Sequence, residues 1–274
     1  MSYTINTNVN GLYATMYGKQ IGRDISSSME KLSTGLRLNR SADGSADMAI
    51  ANQLRKQNEG LLQANKNAQD AIGLVKIADS ALQEYSKILV QVRDKALSAA
   101  SDTSSPEARA ALEEDAKQLL QQADDIAKTT TFNGINLLDG SFTSKNFQVG
   151  SESGQYITMS IGNTDIASQN IADADIDLTT QSGAEAAITS FDAAIKNIDT
   201  IAAGIGSTQV ALESRVRVNE VTAINVKSAE SQLRDVDYAS EEEILNKNSI
   251  KAQANAFALS KSFEQQSLVL NLLR

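Results

Sequence analysis

The chain has 274 residues and a net charge of −9, from 25 Lys and Arg against 34 Asp and Glu. It contains no Cys, His or Trp, which excludes disulfides, zinc fingers and the Ser-His-Asp or Cys-His nucleophiles of most hydrolases. The negative charge also argues against nucleic acid or an anionic membrane as a partner.

The first predicted element is an amphipathic helix near the N-terminus. Ile25, Met29, Leu32 and Leu36 recur at helical spacing and form an apolar stripe. The residues before them include neither a basic region nor an apolar core of a signal peptide, and no run of about 18 apolar residues occurs in the chain. We therefore expect neither a conventional secretory leader nor a membrane-spanning segment.

A long helix of coiled-coil type is predicted next. An apolar residue recurs every seventh position, and a second, mostly small apolar series follows three positions later, over about six heptads. The first series is Leu54, Leu61, Ala68, Val75, Leu82, Leu89 and Ala96. The second series is Ala64, Ala71, Ala78, Tyr85, Val92 and Ala99. The Ala residues would let a partner helix approach closely.

A second helix is predicted to fold back on the first. Ser105 is placed to cap its N-terminus, and Pro106 occupies the first helical position. Its stripe includes Leu112, Leu119 and Ile126, which recur every seven residues.

The pattern then changes to a short β region. Turn signals occur at Asn133-Gly134 and Asp139-Gly140. Apolar residues next alternate with polar ones on both sides of a segment bounded by Gly150 and Gly154, which predicts a β-hairpin near 146–161.

Helical periodicity resumes near Ala184 and predicts a helix that returns along the long one. Its two heptad series begin at Ile188 and Phe191 and continue to Ala223 and Val226. The residues expected to form the coiled-coil core are Leu54, Leu61, Val75, Leu82, Leu89, Ile188, Phe191, Ile195 and Ile198.

A last helix is predicted to open with a capping box of Ser240 and Glu243. Residues 1–44 and 232–274 together carry 10 Lys and Arg against 9 Asp and Glu, whereas residues 45–231 carry 15 against 25. Near-neutral amphipathic ends are suited to associating with copies of themselves. The residues expected to mediate this self-association are Ile25, Met29, Leu32, Leu36, Arg37, Ile250, Phe257, Phe263, Leu270, Leu272 and Leu273.

Four motifs suggest other chemistry, and each has a simpler structural interpretation. Asp173, Asp175 and Asp177 alternate as in a calcium loop, but the Gly and closing Glu of that loop are missing. Gly204-Ile-Gly206 lacks a preceding strand, so a weak point of the helix or a close helix contact is favoured over a dinucleotide loop. Glu241-Glu242-Glu243 suits a helix dipole better than a metal, and Leu268–Leu273 is too short to span a membrane. We expect no cofactor, no metal and no catalytic site.

Several motifs follow one another in a diagnostic order. They are Ile5-Asn6-Thr7-Asn8, Leu32-Ser33-Thr34-Gly35-Leu36-Arg37-Leu38-Asn39, Ala49-Ile50-Ala51-Asn52, Phe132-Asn133-Gly134, Gln148-Val149-Gly150, Arg234-Asp235-Val236-Asp237-Tyr238-Ala239 and Leu272-Leu273-Arg274. In this order the chain resembles bacterial flagellin, the subunit of the flagellar filament, over nearly its whole length.

The resemblance, together with the periodicity, implies a mainly α fold of long antiparallel coiled-coil helices with a small β-hairpin region. It implies two coaxial domains, each built from both chain ends: residues 1–44 with 232–274 as the inner-tube domain, and residues 45–231 as the helical shell. Only about 20 residues separate Ile161 from Ala184, so no outer variable domain is expected.

The resemblance further implies a secreted, extracellular structural protein of the bacterial flagellum that self-assembles into a helical tube and transmits motor rotation. Export would occur unfolded through the flagellar type III system. The implied partners are copies of the chain itself, an export chaperone, the filament cap and the hook-filament junction proteins.

An animal innate immune receptor is a further partner implied by the family. Its stimulating members carry an Arg-x-Arg-Glu-Leu pattern where this chain has Gln91-Val92-Arg93-Asp94-Lys95. Arg93 and an acid are kept, but Gln91 loses a forked cation and Lys95 places a charge at an apolar contact. We therefore predict weakened recognition.

Three other functions compete with a filament subunit. A hook-filament junction protein shares the terminal helices but assembles in few copies. An intracellular coiled-coil scaffold would show heptads yet fold its ends without polymerising, and a carboxylate-dependent enzyme would need paired acids in a pocket. The filament subunit instead requires that each terminal helix bury its apolar stripe against neighbouring copies.

Overall fold

The computed structural model describes residues 7–166, 168–169, 171 and 176–272, with side chains omitted at 266 and 268–272. The described residues form two compact units, one within Gln57–Ile224 and the other within Met1–Lys56 and Asn225–Arg274. We call these the central unit and the terminal unit. None of the described helices combines the length and apolar content needed to cross a membrane.

Five long helices make up most of the described chain. Their bounds are α1 Val9–Thr34, α2 Ser45–Ala99, α3 Pro106–Thr129, α4 Gln181–Arg234 and α5 Tyr238–Leu272. Two antiparallel strand pairs, β1 Thr131–Phe132 with β2 Ile135–Asn136 and β3 Lys145–Gln148 with β4 Tyr156–Met159, lie between α3 and α4. The predicted mainly α fold with a small β-hairpin region is confirmed.

The core of the central unit follows the heptads of α2. The small residues of its second series, together with Tyr85 and Val92, are all buried. Buried side chains of α3, the β region and α4 complete the same apolar cluster. Among the residues expected in the coiled-coil core, Leu61, Val75, Leu82, Leu89, Phe191 and Ile198 are buried, and Leu54, Ile188 and Ile195 are half-buried.

Polar contacts define the direction of the helices in the central unit. Arg93 of α2 pairs with Asp192 near the start of α4, and Asn67 and Asn219 bind consecutive carbonyl oxygens of the β3 end. α2 and α4 are therefore antiparallel. Lys95 Nζ lies 2.8 Å from Asp115 Oδ2, so α3 folds back along α2 as predicted.

The two predicted helix caps had different outcomes. The Ala108 amide donates to Ser105 Oγ at 3.2 Å with Pro106 in the first turn of α3, as the sequence predicts. The capping box of Ser240 and Glu243 is wrong, because α5 begins at Tyr238, three residues before the start that a Ser240 cap implies. Asp237 Oδ1 accepts from the Ala239 amide at 3.0 Å and from the Ser240 amide at 3.3 Å.

The hairpin predicted near 146–161 is present, with Phe147 opposite Ile157 and Met159 buried. A second, smaller hairpin was not predicted, although its turn was. Asn133 and Gly134 have φ values of 50° and 76°, which is the geometry that a tight two-residue hairpin turn requires.

Asn219 occupies a heptad position that is otherwise apolar, and it is only 4% exposed. Its Nδ2 donates to the Val149 carbonyl at 2.8 Å, and Asn67 Nδ2 donates to the Gln148 carbonyl at 3.2 Å. A buried carbonyl without a partner is costly. The side-chain amides of Asn67 and Asn219 therefore hold the end of β3 against α2 and α4.

The aspartate and glycine motifs noted in the sequence have structural surroundings. Asp173 and Asp175 fall outside the described residues, while Asp177 accepts hydrogen bonds from Thr179 and Thr180, which lower the pKa of its carboxyl. Gly204 and Gly206 lie inside α4, and a Cβ at either would meet no described atom within 4 Å. The alternative of a close helix contact at these glycines is therefore wrong.

Candidate functional site

The terminal unit contains a helix hairpin that the chain forms from its two ends. α1 begins where Asn8 Oδ1 accepts from the Gly11 amide at 2.9 Å. It ends at Gly35, whose φ of 71° lets its amide reach the Lys31 carbonyl at 2.9 Å. Glycine is favoured at this position because of its positive φ, and a Cβ there would also lie 3.0 Å from Tyr238 Oη.

The residues after Gly35 tie the end of α1 to the start of α5. Leu36 forms an isolated antiparallel bridge with Asp235, and the Val236 amide donates to the Gly35 carbonyl at 3.0 Å. The Arg37 guanidinium donates to the Leu233 carbonyl at 2.6 Å and lies 3.4 Å from Asp47. Arg37 therefore positions the backbone of this junction.

α1 and α5 are antiparallel, and polar residues join them along most of their length. Ser262 Oγ lies 3.0 Å from Asn8 Oδ1, Asn255 Nδ2 donates to the Ala14 carbonyl at 3.0 Å, and Lys31 Nζ lies 3.7 Å from Glu241. Gly18 allows this approach, since a Cβ there would lie 2.6 Å from Asn255 Nδ2.

This pairing leaves most of the apolar surface of the terminal helices uncovered. Of the 26 residues of α1, only Gly11 and Ser28 are buried. The large apolar side chains of α1 and α5 that remain more than two-fifths exposed are Val9, Leu12, Tyr13, Met16, Tyr17, Met29, Tyr238, Ile244, Ile250, Phe257 and Phe263. So many large exposed apolar side chains on one helix pair make this surface a candidate for association.

The residues expected to mediate self-association fall into three groups. Ile25 and Leu32 of α1 and Leu36 of the junction after it are half-buried. Exposed members are Met29, Arg37, Ile250, Phe257 and Phe263. Leu270 and Leu272 have no described side chain, and Leu273 lies outside the described residues. The five exposed residues of the set are therefore accessible to a neighbouring copy.

Sequence reasoning missed the residues that hold the helix pair together. Asn8, Asn255 and Ser262 are polar, and Gly18 is small, so none of them contributes to an apolar pattern. The signal that could have found them is their position. Asn8 is a residue type favoured at helix N-caps and directly precedes Val9, where α1 begins, and small residues in a helix interior permit close backbone approach.

The second candidate region is the segment 91–95 of α2. Gln91 and Asp94 are exposed, whereas Arg93 pairs with Asp192 and Lys95 with Asp115. The Asp192 carboxylate raises the pKa of Arg93, so this cation stays charged. Both cations of the segment are therefore engaged within the chain.

Two buried acids of the terminal unit, Glu230 and Glu241, have cationic partners close by. Glu241 pairs with Lys31, and the buried Glu230 carboxylate lies 3.0 Å from Lys227 and 3.7 Å from Arg234. Within the described ranges, no three Asp or Glu side chains gather in a way that could hold a metal ion. Burial, and then Asp124 and Asp165, raise the pKa of the Tyr85 hydroxyl, which therefore stays protonated in the core.

Comparison with known families identifies both ends of the chain. Residues 5–143 match the family described as the bacterial flagellin N-terminal helical region, and residues 188–273 match the bacterial flagellin C-terminal helical region. The family resemblance inferred from the sequence motifs is confirmed.

Relatives differ in how much of their length the match covers. Flagellin B of Helicobacter pylori is 50% identical over 164 residues, which are 60% of this chain but 32% of that protein. A flagellin of Halalkalibacterium halodurans is 35% identical, with 90% of each chain covered. The flagellar filament 33 kDa core protein of Treponema phagedenis is 33% identical, covering 98% of this chain and 99% of its own.

Solved structures agree on the fold. A crystal structure of Bacillus cereus flagellin has a TM-score of 0.50 at 30% identity and covers 56% of this chain and 88% of its own. A Vibrio parahaemolyticus structure described as a flagellar hook-associated protein has a TM-score of 0.60 at 13% identity, covering 70% and 100%. At that identity the second likeness concerns the fold alone.

Proposed function

Because the chain belongs to the bacterial flagellin family, we propose that it is a structural subunit of the flagellar filament. Copies associate through their terminal helices into a helical tube that transmits motor rotation for swimming. The observation that carries this proposal is the burial pattern of α1, in which only Gly11 and Ser28 of 26 residues are buried. The helix pair needs further protein surface to cover it.

The mechanism that follows is coupled ordering and assembly. Fixing the backbone of a residue costs about 1–2 kcal/mol, and burial of apolar surface must offset that cost. In the terminal unit the two helices bury little of each other's apolar surface, so a single copy gains little by ordering them. Neighbouring copies supply the missing cover, and ordering then becomes favourable.

The two parts of the chain have different roles in this proposal. Residues 1–44 and 232–274 form the inner tube, and residues 45–231 form the shell. The segment between Ile161 and Ala184 is too short for an additional domain, so the shell itself faces the medium. The filament is expected to be thin and relatively smooth.

Assembly outside the cell requires export and accessory proteins. An export chaperone binds the chain before export. The chain then passes unfolded through the flagellar type III channel. It joins the filament beneath the cap protein, with the hook-filament junction proteins at its base. The absence of Cys suits passage through a narrow channel, because no disulfide has to be broken first.

A hook-filament junction protein is the second candidate, because the fold is shared with a structure described as hook-associated. Polymer length separates the two functions. Electron microscopy of the purified, salt-precipitated chain is expected to reveal tubes of micrometre length. Short rings or unassembled protein under the same conditions would contradict the filament subunit.

A coiled-coil scaffold inside the cell differs in its folding. Its ends would be ordered without polymerisation, so circular dichroism would detect no gain in helix on assembly. A filament subunit is expected to gain helix when it polymerises.

Recognition by the innate immune receptor is expected to be weak. Lys95 carries a charge and pairs with Asp115 at 2.8 Å, and Gln91 lacks the forked cation of the family pattern. The double variant Gln91→Arg with Lys95→Leu is expected to stimulate receptor-bearing reporter cells at a concentration at least about tenfold lower than the unaltered chain does.

A matched control for this assay is Lys76→Leu, which removes an exposed lysine elsewhere on α2. The control is expected to leave the half-maximal concentration unchanged. Equal potency of the unaltered chain and the double variant would refute weakened recognition by this segment.

A further inference from the structure

Two exposed stripes run along the terminal helices at seven-residue spacing. On α1, Val9 is 49% and Met16 54% exposed, and Arg23 follows in the same series. On α5, Ile250 and Phe257 are each 65% exposed, and Glu243 precedes them in series. Seven residues are close to two helical turns, so each set occupies one face of its helix.

The α1 stripe faces away from α5. Met16 is two residues from Ala14, whose carbonyl binds Asn255, and two residues from Gly18, which closely approaches Asn255. Two residues correspond to a rotation of about 200° around a helix. Val9 is likewise two residues from the buried Gly11.

The α5 stripe faces away from α1 for the same reason. Phe257 is two residues from Asn255, which binds α1. Ile250 is two residues from the buried Asn248, and Glu243 two residues from Glu241, which pairs with Lys31. The two stripes therefore lie on opposite sides of the helix pair.

The stripes pair their opposite charges in only one packing direction. In antiparallel packing Val9 lies opposite Phe257, Met16 opposite Ile250 and Arg23 opposite Glu243. Two apolar pairs and one ion pair result. Parallel packing would instead place Val9 against a carboxylate and Arg23 against an aromatic ring.

The charged ends of the stripes are available for this pairing. Arg23 hydrogen-bonds to Gln20 on its own helix, and among the described residues neither Arg23 nor Glu243 forms an ion pair. Phe257 has Lys261 5.8 Å from its ring centre and still remains mostly exposed.

We propose that the α1 stripe of one copy packs antiparallel on the α5 stripe of the next, with Met16 opposite Ile250 and Arg23 opposite Glu243. This inference rests on the proposed function and adds the partner surface and its register. Each copy presents its α1 stripe to one neighbour and its α5 stripe to another. Such a head-to-tail contact propagates into a filament when successive copies are displaced along the axis, and into a ring when the rotation closes.

The register also implies a stagger between copies. Within one chain, Ala14 contacts Asn255 and Lys31 contacts Glu241. Between copies, the same α1 positions lie opposite residues about four earlier in α5, which corresponds to roughly 6 Å along the helix axis. Successive copies are thus displaced along the axis.

Disulfide trapping tests the register directly, because the chain contains no Cys of its own. The variant Met16→Cys with Ile250→Cys places two thiols opposite each other between copies and on opposite sides of one copy. Oxidation of its filaments is expected to give a ladder of covalent multimers. The matched control, Met16→Cys with Phe257→Cys, is displaced by two turns and is expected to cross-link at least about tenfold less, since a disulfide needs Cα atoms about 5.5 Å apart.

Charge reversal provides the second test. Arg23→Glu is expected to raise the critical concentration for polymerisation at least about tenfold at low salt, and adding Glu243→Arg in the same chain is expected to restore it. Lys251→Glu makes the same charge change at an exposed α5 position about 100° around the helix from Ile250, outside the stripe, and is expected to have little effect.

The outcomes separate this register from the proposed function. Equal cross-linking of both cysteine pairs, products that stop at dimers, or no rescue by Glu243→Arg would overturn the register while filaments still form. Failure of the unaltered chain to form filaments would overturn the proposed function, and the register with it.

Discussion

Deleting residues 255–274 is expected to abolish filament formation while the central unit stays folded. The deletion removes Asn255, which binds the Ala14 carbonyl at 3.0 Å, and Ser262, which binds Asn8. It also removes Phe257, which is 65% exposed and available to a neighbouring copy. The N-terminal half of α1 then loses its polar partners within the chain, and α5 loses part of the exposed apolar surface on which copies are proposed to associate.

Electron microscopy and thermal unfolding measure the two parts of this prediction. No tubes are expected from the truncated chain under conditions in which the unaltered chain polymerises. The core of the central unit lies within residues 57–224, so its unfolding midpoint in the truncated protein should equal that in the unassembled full chain. Long tubes from the truncated chain would contradict the role assigned to α5.

Phe191→Ala is expected to lower the free energy of unfolding of the central unit by about 3–5 kcal/mol. Phe191 is 0% exposed and belongs to the apolar cluster shared by α2, α3, the β region and α4. Removing its ring takes apolar surface out of the core and leaves a cavity that the long helices cannot fully close.

Urea unfolding of the unassembled chain, followed by circular dichroism, provides the measurement for Phe191→Ala. The matched control is Val210→Ala on the same helix, where the side chain is 63% exposed. Its expected effect is within about 0.5 kcal/mol. Similar decreases in the free energy of unfolding for both variants would contradict the prediction that the heptad face of α4 forms the stabilising core contact.

Heptad periodicity predicted the packing of the central unit because α2 buries only one of its faces there. Leu82 and Leu89 recur every seven residues and are 1% and 0% exposed, since one face of α2 packs against α3, the β region and α4. A periodic apolar face is the physical consequence of that packing, so it can be recognised from the sequence.

The terminal unit was harder to predict because α1 carries large apolar residues on more than one side. Leu32 is half-buried, while Met16 and Tyr17 are more than half exposed. Periodicity cannot select a face when both faces are apolar. The contacts that do select it come from polar and small residues, such as Asn255 and Gly18.

The start of α5 illustrates a different limit. Asp237 and Ser240 are both good capping residues, and only Ser240 has a Glu three positions later. The bridge between Leu36 and Asp235 fixes the backbone just before Asp237, and the helix begins there. A tertiary contact therefore decided between two locally suitable caps.

The proposed assembly would also account for the exposed apolar side chains of α1 and α5. Single exposed apolar residues are common in soluble proteins, but an exposed stripe on each of two paired helices is not. In the proposed filament neighbouring copies would cover both stripes, so the residues that are exposed in a monomer would stabilise the polymer.

Hydrogen exchange of the unassembled chain and of the filament measures whether the terminal helices need neighbouring copies to become ordered. Amides of α1 and α5 are expected to exchange rapidly in a dilute single copy and to become at least about a hundredfold slower in the filament, whereas amides of the central unit are protected in both states. Equal protection of α1 and α5 in the dilute single copy would contradict this expectation, because the terminal helices would then be stable without neighbouring copies.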